Sequence, residues 1–325
     1  MEEILEPGLP ICDPHHHLWD HPRHRYLLDE LLADTGSGHD VRATVFVECL
    51  SMYRAHGPDA LRPVGETEFV NGIAAMSASR RYDGTRVAAG IVSFADLTLG
   101  EAAGAVLDAH RAASPRFRGI RHAAGWDASE AIRNSHTNPP PGLLADGRFR
   151  RGFAELVRRG LTFDAWCYHP QLPEVAALAR AFPDATIVLD HFGGPLGIGP
   201  YRDRRAEVFA WWRGAIKTVA ECPNVVAKLG GLVMPLNGFG FHKRAAPPDS
   251  AELAAATRDW YLHAIDCFGP ARCMFESNFP VDKVSASYRV LWNSFKRITA
   301  SFSKDDKAAL FHDTAARVYR VHALE

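Results

Sequence analysis

The sequence predicts an α/β fold in which eight parallel strands, alternating with helices, close into a (β/α)8 TIM barrel. Short apolar runs alternate with longer amphipathic stretches, and the runs number eight. An open, doubly wound sheet is the alternative, but no glycine-rich dinucleotide fingerprint follows the first run. Because barrels of this class form one domain at such lengths, we expect a single domain over residues 1–325.

The eight apolar runs are the predicted strands. They lack the polar alternation of half-exposed strands, as expected for a parallel sheet that is covered on both faces. They cover residues 9–12, 43–49, 87–94, 117–122, 161–167, 186–189, 225–229 and 273–275.

The stretches between the strands have helical spacing and end at helix-stopping residues. A helix over 66–82 is predicted to stop at Asp83-Gly84, and one over 303–319 to begin at Ser303, a good N-cap. The other predicted helices cover residues 99–113, 148–159, 172–182, 204–221, 250–268 and 285–302.

Four long insertions, at 21–40, 56–63, 134–141 and 237–248, follow strands. Because barrel enzymes place their active sites on that face, we expect these insertions to form a lid and substrate walls.

Composition limits the partners of the chain. A net charge of −1 provides no field to attract nucleic acid or an anionic membrane. The N-terminal segment is acidic and lacks the basic region of a secretory signal. Six scattered cysteines without a C-x-x-C pair indicate reduced thiols and a cytoplasmic location. The expected partner is a small acidic substrate, and no feature of the sequence specifies an oligomeric state.

The first strand ends in Asp13-Pro14-His15-His16-His17. Residues two apart in a strand point to the same side, so His15 and His17 are expected to face the barrel axis together. Two neighbouring imidazoles are natural ligands of a divalent metal. The alternative is a hydrogen-bonded histidine cluster in the core. Asp13 is expected to orient one of the two imidazoles.

Ionisable or polar residues also end six of the other strands, which predicts a polar barrel mouth. We expect Arg121 either to hold a substrate carboxylate with its guanidinium fork or to form a salt bridge to a neighbouring strand. Lys228 is expected either to polarise a carbonyl or to form a structural ion pair. The candidate catalytic residues are Glu48, Arg121, His169, His191, Lys228, Glu276 and Asn278.

Four segments, "DPHHHLW", "FPDATIVLDHFGGP", "CPNVVAKLGGL" and "RCMFESNFPVD", resemble the amidohydrolase-2 family of the amidohydrolase superfamily. The resemblance is to its lactonase branch, with sugar-lactone hydrolases and 2-pyrone-4,6-dicarboxylate lactonase. It implies a distorted barrel, a metal site at His15 and His17, a histidine at His169 or His191, and an acid at the position of Asn278. The implied reaction is hydrolysis of a lactone or related cyclic ester of a carboxylated small molecule. Water would be activated by a divalent ion, zinc by preference, or by side chains alone.

Strand eight departs from the family pattern. Relatives usually read Gly-Ser-Asp where this chain has Glu276-Ser277-Asn278, and an amide cannot act as a general base. Glu276 shares a strand face with Asn278, so it either restores the missing carboxylate or pairs with Lys228. Glu48 is the second candidate for that carboxylate. Two other functions stay open: a non-oxidative decarboxylase of an unsaturated or aromatic acid, and a catalytically impaired barrel that only binds its ligand.

Overall fold

The computed structural model describes residues 2–22, 24–79, 82 and 84–321. Eight strands lie side by side in chain order and pair in parallel throughout. Each overlaps one of the eight predicted strands. They are β1 (Pro10–His16), β2 (Asp40–Val47), β3 (Arg86–Ser93), β4 (Phe117–Arg121), β5 (Thr162–Ala165), β6 (Thr186–Leu189), β7 (Val225–Leu229) and β8 (Cys273–Phe275).

The sheet nearly closes between its first and last strands. His17 N donates to Phe279 O at 2.8 Å, and Asn278 N donates to His15 O at 3.0 Å. His16 and Phe279 form a parallel bridge at the same seam. These bonds confirm the predicted (β/α)8 barrel and exclude the open sheet. They also bring the ends of β1 and β8 together, at the residues that carry the sequence motifs.

Helices surround the barrel. They are α1 (Leu28–Thr35), α2 (Val64–Ser77), α3 (Ala103–Ala113), α4 (Gly147–Arg158), α5 (Leu172–Ala181), α6 (Arg205–Ala220), α7 (Ser250–Phe268), α8 (Tyr288–Ile298), α9 (Lys304–Ala308) and α10 (Thr314–Val318). A π-helical turn, Ala309–Asp313, joins the last two. The predicted N-cap is confirmed, since Ser303 Oγ accepts from Asp306 N. The helix predicted over 66–82 is α2, which ends at Ser77, before its predicted end. The predicted stop residue Asp83 lies outside the described residues.

The insertion after β1 contains structure that the sequence pattern did not indicate. Short strands Trp19–His21 and His24–Tyr26 pair antiparallel, and α1 follows them. Within the described part of the chain, no helix is both long and apolar enough to cross a bilayer. All six cysteines are free thiols.

The barrel interior has an apolar part at the amino-terminal ends of the strands, called the lower part here, and a polar part at their carboxyl-terminal ends, the upper part. Inward side chains of the strands, among them Val45, Val188 and Met274, pack with Val318 and Tyr319 from the C-terminal segment. That segment lies at the amino-terminal end of the barrel, where Arg118 Nε of β4 donates to Tyr319 O at 2.6 Å. The lower end is therefore closed, and ionisable side chains occupy the upper half.

Candidate active site

Strand alternation places the two histidines of β1 as predicted. His15 and His17 point into the barrel, and their Nε2 atoms lie 3.3 Å apart. His16 points the other way, with its ring 5.9 Å from that of Phe46. His17 Nδ1 lies 2.8 Å from Val47 O, an acceptor, so Nδ1 carries the hydrogen and Nε2 presents a lone pair. Burial lowers the pKa of both inward histidines well below the usual value, which keeps the imidazoles neutral.

The same pair fits a divalent ion. Two ligand nitrogens at about 2.0–2.1 Å from a tetrahedral zinc lie roughly 3.3 Å from each other, which matches the Nε2 separation. His15, Asp190 and His191 also offer ligand atoms within 4.8 Å of one another. However, Arg121 NH1 lies 3.3 Å from Nε2 of His15, so a guanidinium hydrogen bond competes for that lone pair. The side chains present therefore fit a metal while also allowing a metal-free arrangement.

Glu276 lies between two histidines. Its Oε2 is 2.8 Å from His15 Nδ1, and its Oε1 is 2.6 Å from His191 Nδ1. Two glycines after β7 make room for this arrangement: a Cβ on Gly230 would lie 2.3 Å from Glu276 Cγ, and one on Gly231 would lie 2.3 Å from His191 Nδ1. Glu276 is fully buried, so pairing with two imidazoles compensates the cost of its charge.

Glu48, at the end of β2, binds two cationic or donor side chains. Arg121 Nε donates to Glu48 Oε1 at 2.6 Å, and its NH2 donates to Glu48 O at 2.6 Å. His136 Nε2 lies 2.8 Å from Oε1 of the same carboxylate. Burial alone would raise the pKa of Glu48, but His136 and Arg121 outweigh it and lower the pKa to about 2. Such a weak base is poorly suited to accept a proton at neutral pH.

Lys228 forms an ion pair beneath the cavity. Its Nζ donates to Asp164 Oδ2 at 2.6 Å and lies 3.2 Å from Asp190 Oδ1. Tyr319 OH donates to the same Asp164 oxygen at 2.6 Å, which ties the cluster to the lower core. Burial opposes the charge of Lys228, but Asp164 and Asp190 raise its pKa above the usual value. Lys228 therefore stays charged, and the geometry fits the structural ion pair rather than carbonyl polarisation.

Charge counting gives the cluster an excess of negative charge. Two cations, Arg121 and Lys228, contact it, against four buried carboxylates. The four are Glu48, Asp164, Asp190 and Glu276. With all four ionised and the histidines neutral, two negative charges remain, an amount that one divalent cation would neutralise.

Asn278 lies on the cavity wall, but its carboxamide is engaged. Its Nδ2 donates to Asp282 Oδ1 at 3.1 Å. Burial raises the pKa of Asp282 to about 7. Asp13 acts on the backbone instead of on an imidazole, since it accepts from His15 N, Ser277 N and Tyr288 OH. Asp13 therefore holds the ends of β1 and β8 together. The expectation that it orients an imidazole of β1 is wrong, and Glu276 is the carboxylate in contact with His15.

One sequence-based expectation, for His169, needs correction, and for Arg121 and Glu276 the contacts favour one of the two alternatives that the sequence left open. His169 does not join the cluster, because its ring packs edge-on against Tyr201 and Trp211, and its Nδ1 accepts from Leu196 N. Arg121 has no free fork for a substrate carboxylate, since Glu48 occupies Nε and NH2. Glu276 does not pair with Lys228 but with the two histidines.

The cluster opens onto a cavity of about 520 Å³ at the barrel mouth. His17, Arg121, His191 and Asn278 reach it from the strand ends. The insertion after β4 forms one wall, as expected, and contributes His136. Glu276 is not among the described lining residues, so His191 stands between it and the cavity.

Sequence reasoning missed three members of the cluster. His136 lies in a proline-rich insertion with no periodicity to indicate its direction. Asp164 lies in β5, two residues before the cavity-lining Trp166, so strand alternation alone would have placed it inside the barrel. Asp190 follows β6 directly, but its contact with Lys228 depends on the pairing of β6 with β7, which no local pattern indicates.

Comparison with known proteins agrees with this geometry. A family model described as amidohydrolase matches residues 12–321. An uncharacterized protein of Sinorhizobium fredii, y4mH, is 35% identical over 96% of this chain and 99% of its own. An L-fucono-1,5-lactonase of Burkholderia multivorans is 29% identical over 82% of this chain and 86% of its own. A Burkholderia multivorans amidohydrolase crystallised with zinc superposes with a TM-score of 0.70 at 26% identity, covering 95% of this chain and 99% of that one.

Proposed function

Since the chain belongs to the amidohydrolase family, we propose that it hydrolyses a lactone or related cyclic ester of a carboxylated small molecule. The observation that carries the proposal is the Glu276–His191 pair, whose histidine faces the cavity beside His15 and His17. The relative named as an L-fucono-1,5-lactonase supports the reaction class.

In the proposed reaction, His191 acts first as a general base and then as a general acid. Its Nδ1 donates to Glu276, so its Nε2 is free to accept a proton from the attacking water. The water oxygen bonds to the lactone carbonyl carbon, the ring C–O bond breaks, and the ring oxygen takes the proton back from His191. Glu276 stabilises the imidazolium between these steps, as a buried carboxylate does in other histidine-centred sites. Arg121 supplies positive charge beside the developing oxyanion.

A divalent ion, zinc by preference, would be held by His15 and His17. When bound, such an ion polarises a carbonyl and lowers the pKa of water. The 2.8 Å contact between Glu276 Oε2 and His15 Nδ1 would help to orient that imidazole toward the ion. The proton transfer assigned to His191 and Glu276 holds with or without the ion.

The test is a screen of lactones against unsaturated carboxylic acids, followed by acid release in a pH-stat and by carbon dioxide detection. Opening of a lactone releases one proton per turnover and no carbon dioxide. Carbon dioxide from the unsaturated acids would overturn the proposal in favour of decarboxylation. Binding of these compounds without any turnover would overturn it in favour of a ligand-binding barrel. His191→Asn, which cannot accept the proton, is expected to abolish lactone opening.

A further inference from the structure

The cavity has one polar wall and one apolar wall. We propose that the site selects a lactone with an apolar, alkyl- or aryl-substituted body and a single anionic group, which lies against Arg133. This inference rests on the proposed lactone hydrolysis and adds to it the kind of lactone. A polyhydroxylated sugar lactone is a poor fit to the same walls.

The apolar wall consists of aliphatic side chains from four different loops above the barrel. They are Ile132, Ile198, Met234, Leu236 and Val281. Two of them, Ile132 and Met234, belong to one buried cluster with Trp166 and Tyr168. Because these side chains pack on each other as well as facing the cavity, the wall is formed before a ligand binds. Trp166 stands edge-on to His191, with ring centroids 4.9 Å apart, so the apolar surface reaches the reacting groups.

The apolar wall offers no partner to sugar hydroxyls, because the hydrogen-bonding side chains of the cavity, such as Ser135 and His136, lie outside it. No carboxylate occurs among the described residues that line the cavity. Two lining residues carry an amide, Asn134 and Asn278, and the Asn278 Nδ2 group already donates to Asp282. A hydroxyl buried against aliphatic carbon loses its hydrogen bonds to water without replacement, whereas an alkyl or aryl group gains by leaving water.

Arg133 is the cation that remains available to an anionic substrate. Unlike Arg121, it is exposed, and no described carboxylate lies within ion-pair distance of its guanidinium. Its loop is held in place, because Tyr168 OH donates to Arg133 O at 2.5 Å and Thr137 Oγ1 donates to Ala123 O at 2.9 Å. A fixed loop presents the guanidinium at the cavity edge, where it can form a fork with a carboxylate.

The decisive experiment compares two lactones of equal ring size, one alkyl-substituted with a carboxylate and one an aldonolactone. We expect kcat/KM to be about 100-fold higher for the alkyl-substituted acid. An equal or higher value for the aldonolactone would overturn the inference while leaving lactone hydrolysis intact. If neither lactone is opened, and the wider screen also finds none, the proposed function fails instead.

Two variants test the walls separately. Leu236→Gln should lower kcat/KM about tenfold more for the alkyl-substituted acid than for the aldonolactone, whereas Leu262→Gln, on the outer helix α7, should leave the ratio of the two values unchanged. Arg133→Gln should raise KM about tenfold for the acid but not for its neutral amide, with Arg148→Gln on α4 as the control. Unchanged selectivity in both cavity variants, with melting curves like those of the wild type, would overturn the inference. If a variant does not fold, the comparison of the two lactones on the wild-type protein still decides.

Discussion

Glu276 Oε1 lies 2.6 Å from His191 Nδ1, while the other oxygen of the same carboxylate lies 2.8 Å from His15 Nδ1. One buried acid therefore orients both a candidate metal ligand and the candidate proton acceptor. The family resemblance puts a glycine at this position and an aspartate at Asn278, so this chain keeps a carboxylate at the end of β8 but places it two residues earlier, deeper in the barrel. The carboxylate of Glu276 does not line the cavity itself but contacts His191, which does.

Glu276→Gln is expected to lower kcat by about two to three orders of magnitude with little change in KM. The amide accepts one imidazole N–H but offers no negative charge to stabilise an imidazolium. Steady-state kinetics, a pH–rate profile and a melting curve check this, with exposed Glu207→Gln on α6 as the control. Full activity would place the orienting group elsewhere, and an active but much less stable variant would make Glu276 purely structural.

Arg121→Lys should destabilise the protein and should lower kcat/KM by the same factor for acidic and neutral lactones. Lysine cannot reproduce the fork that joins Nε and NH2 to Glu48. Breaking a buried pair costs on the order of 3–5 kcal/mol, an upper bound here because lysine keeps the charge. Chemical denaturation and kinetics on both substrates measure the effect. A loss confined to the acidic lactone would restore Arg121 as its anchor.

The sequence predicted the barrel and the β1 histidines because both depend on local periodicity. Apolar runs and period-2 alternation report the direction of a side chain while the strand continues. Alternation does not predict the direction of the His169 side chain, because β5 stops at Ala165 and a 3₁₀ turn begins at His169 itself. Pairings across the barrel, such as that of Glu48 after β2 with Arg121 on β4, join strands that are separated by β3. They depend on the register of several strands, which no single segment encodes. His136 enters through an aperiodic loop, so only the folded chain brings it to Glu48.

Protein expressed with supplemental zinc is expected to contain about one equivalent of metal. His17→Ala should reduce that content, because it removes one of the two facing Nε2 atoms. Elemental analysis provides the readout, and exposed His56→Ala serves as the control. Metal-free protein that keeps full activity in chelator would establish the side-chain mechanism, with Arg121 NH1 bound to His15 in place of the ion.

Glu66 on α2 holds the turn that follows Glu48. Its Oε1 accepts from Cys49 N at 3.0 Å and from Ser51 N at 2.7 Å. The turn includes Leu50 at a φ of 62°, a conformation that non-glycine residues rarely adopt, so these two bonds stabilise a strained segment. Burial, and then the charge of Glu48, raises the pKa of Glu66 to about 8.

Glu66→Gln should therefore flatten the pH dependence of stability. Because the pKa of Glu66 is higher in the folded than in the unfolded protein, folding retains a proton between pH 4.5 and 8, and stability falls as pH rises through that window. The neutral amide keeps the acceptor for Cys49 and Ser51 and has no proton to lose. Between pH 6 and 8 the wild type should lose about 2 kcal/mol of unfolding free energy more than the variant. Urea titrations at both pH values measure this, with exposed Glu68→Gln on the same helix as the control. Parallel pH profiles for wild type and Glu66→Gln would mean that Glu66 is ionised in the folded protein.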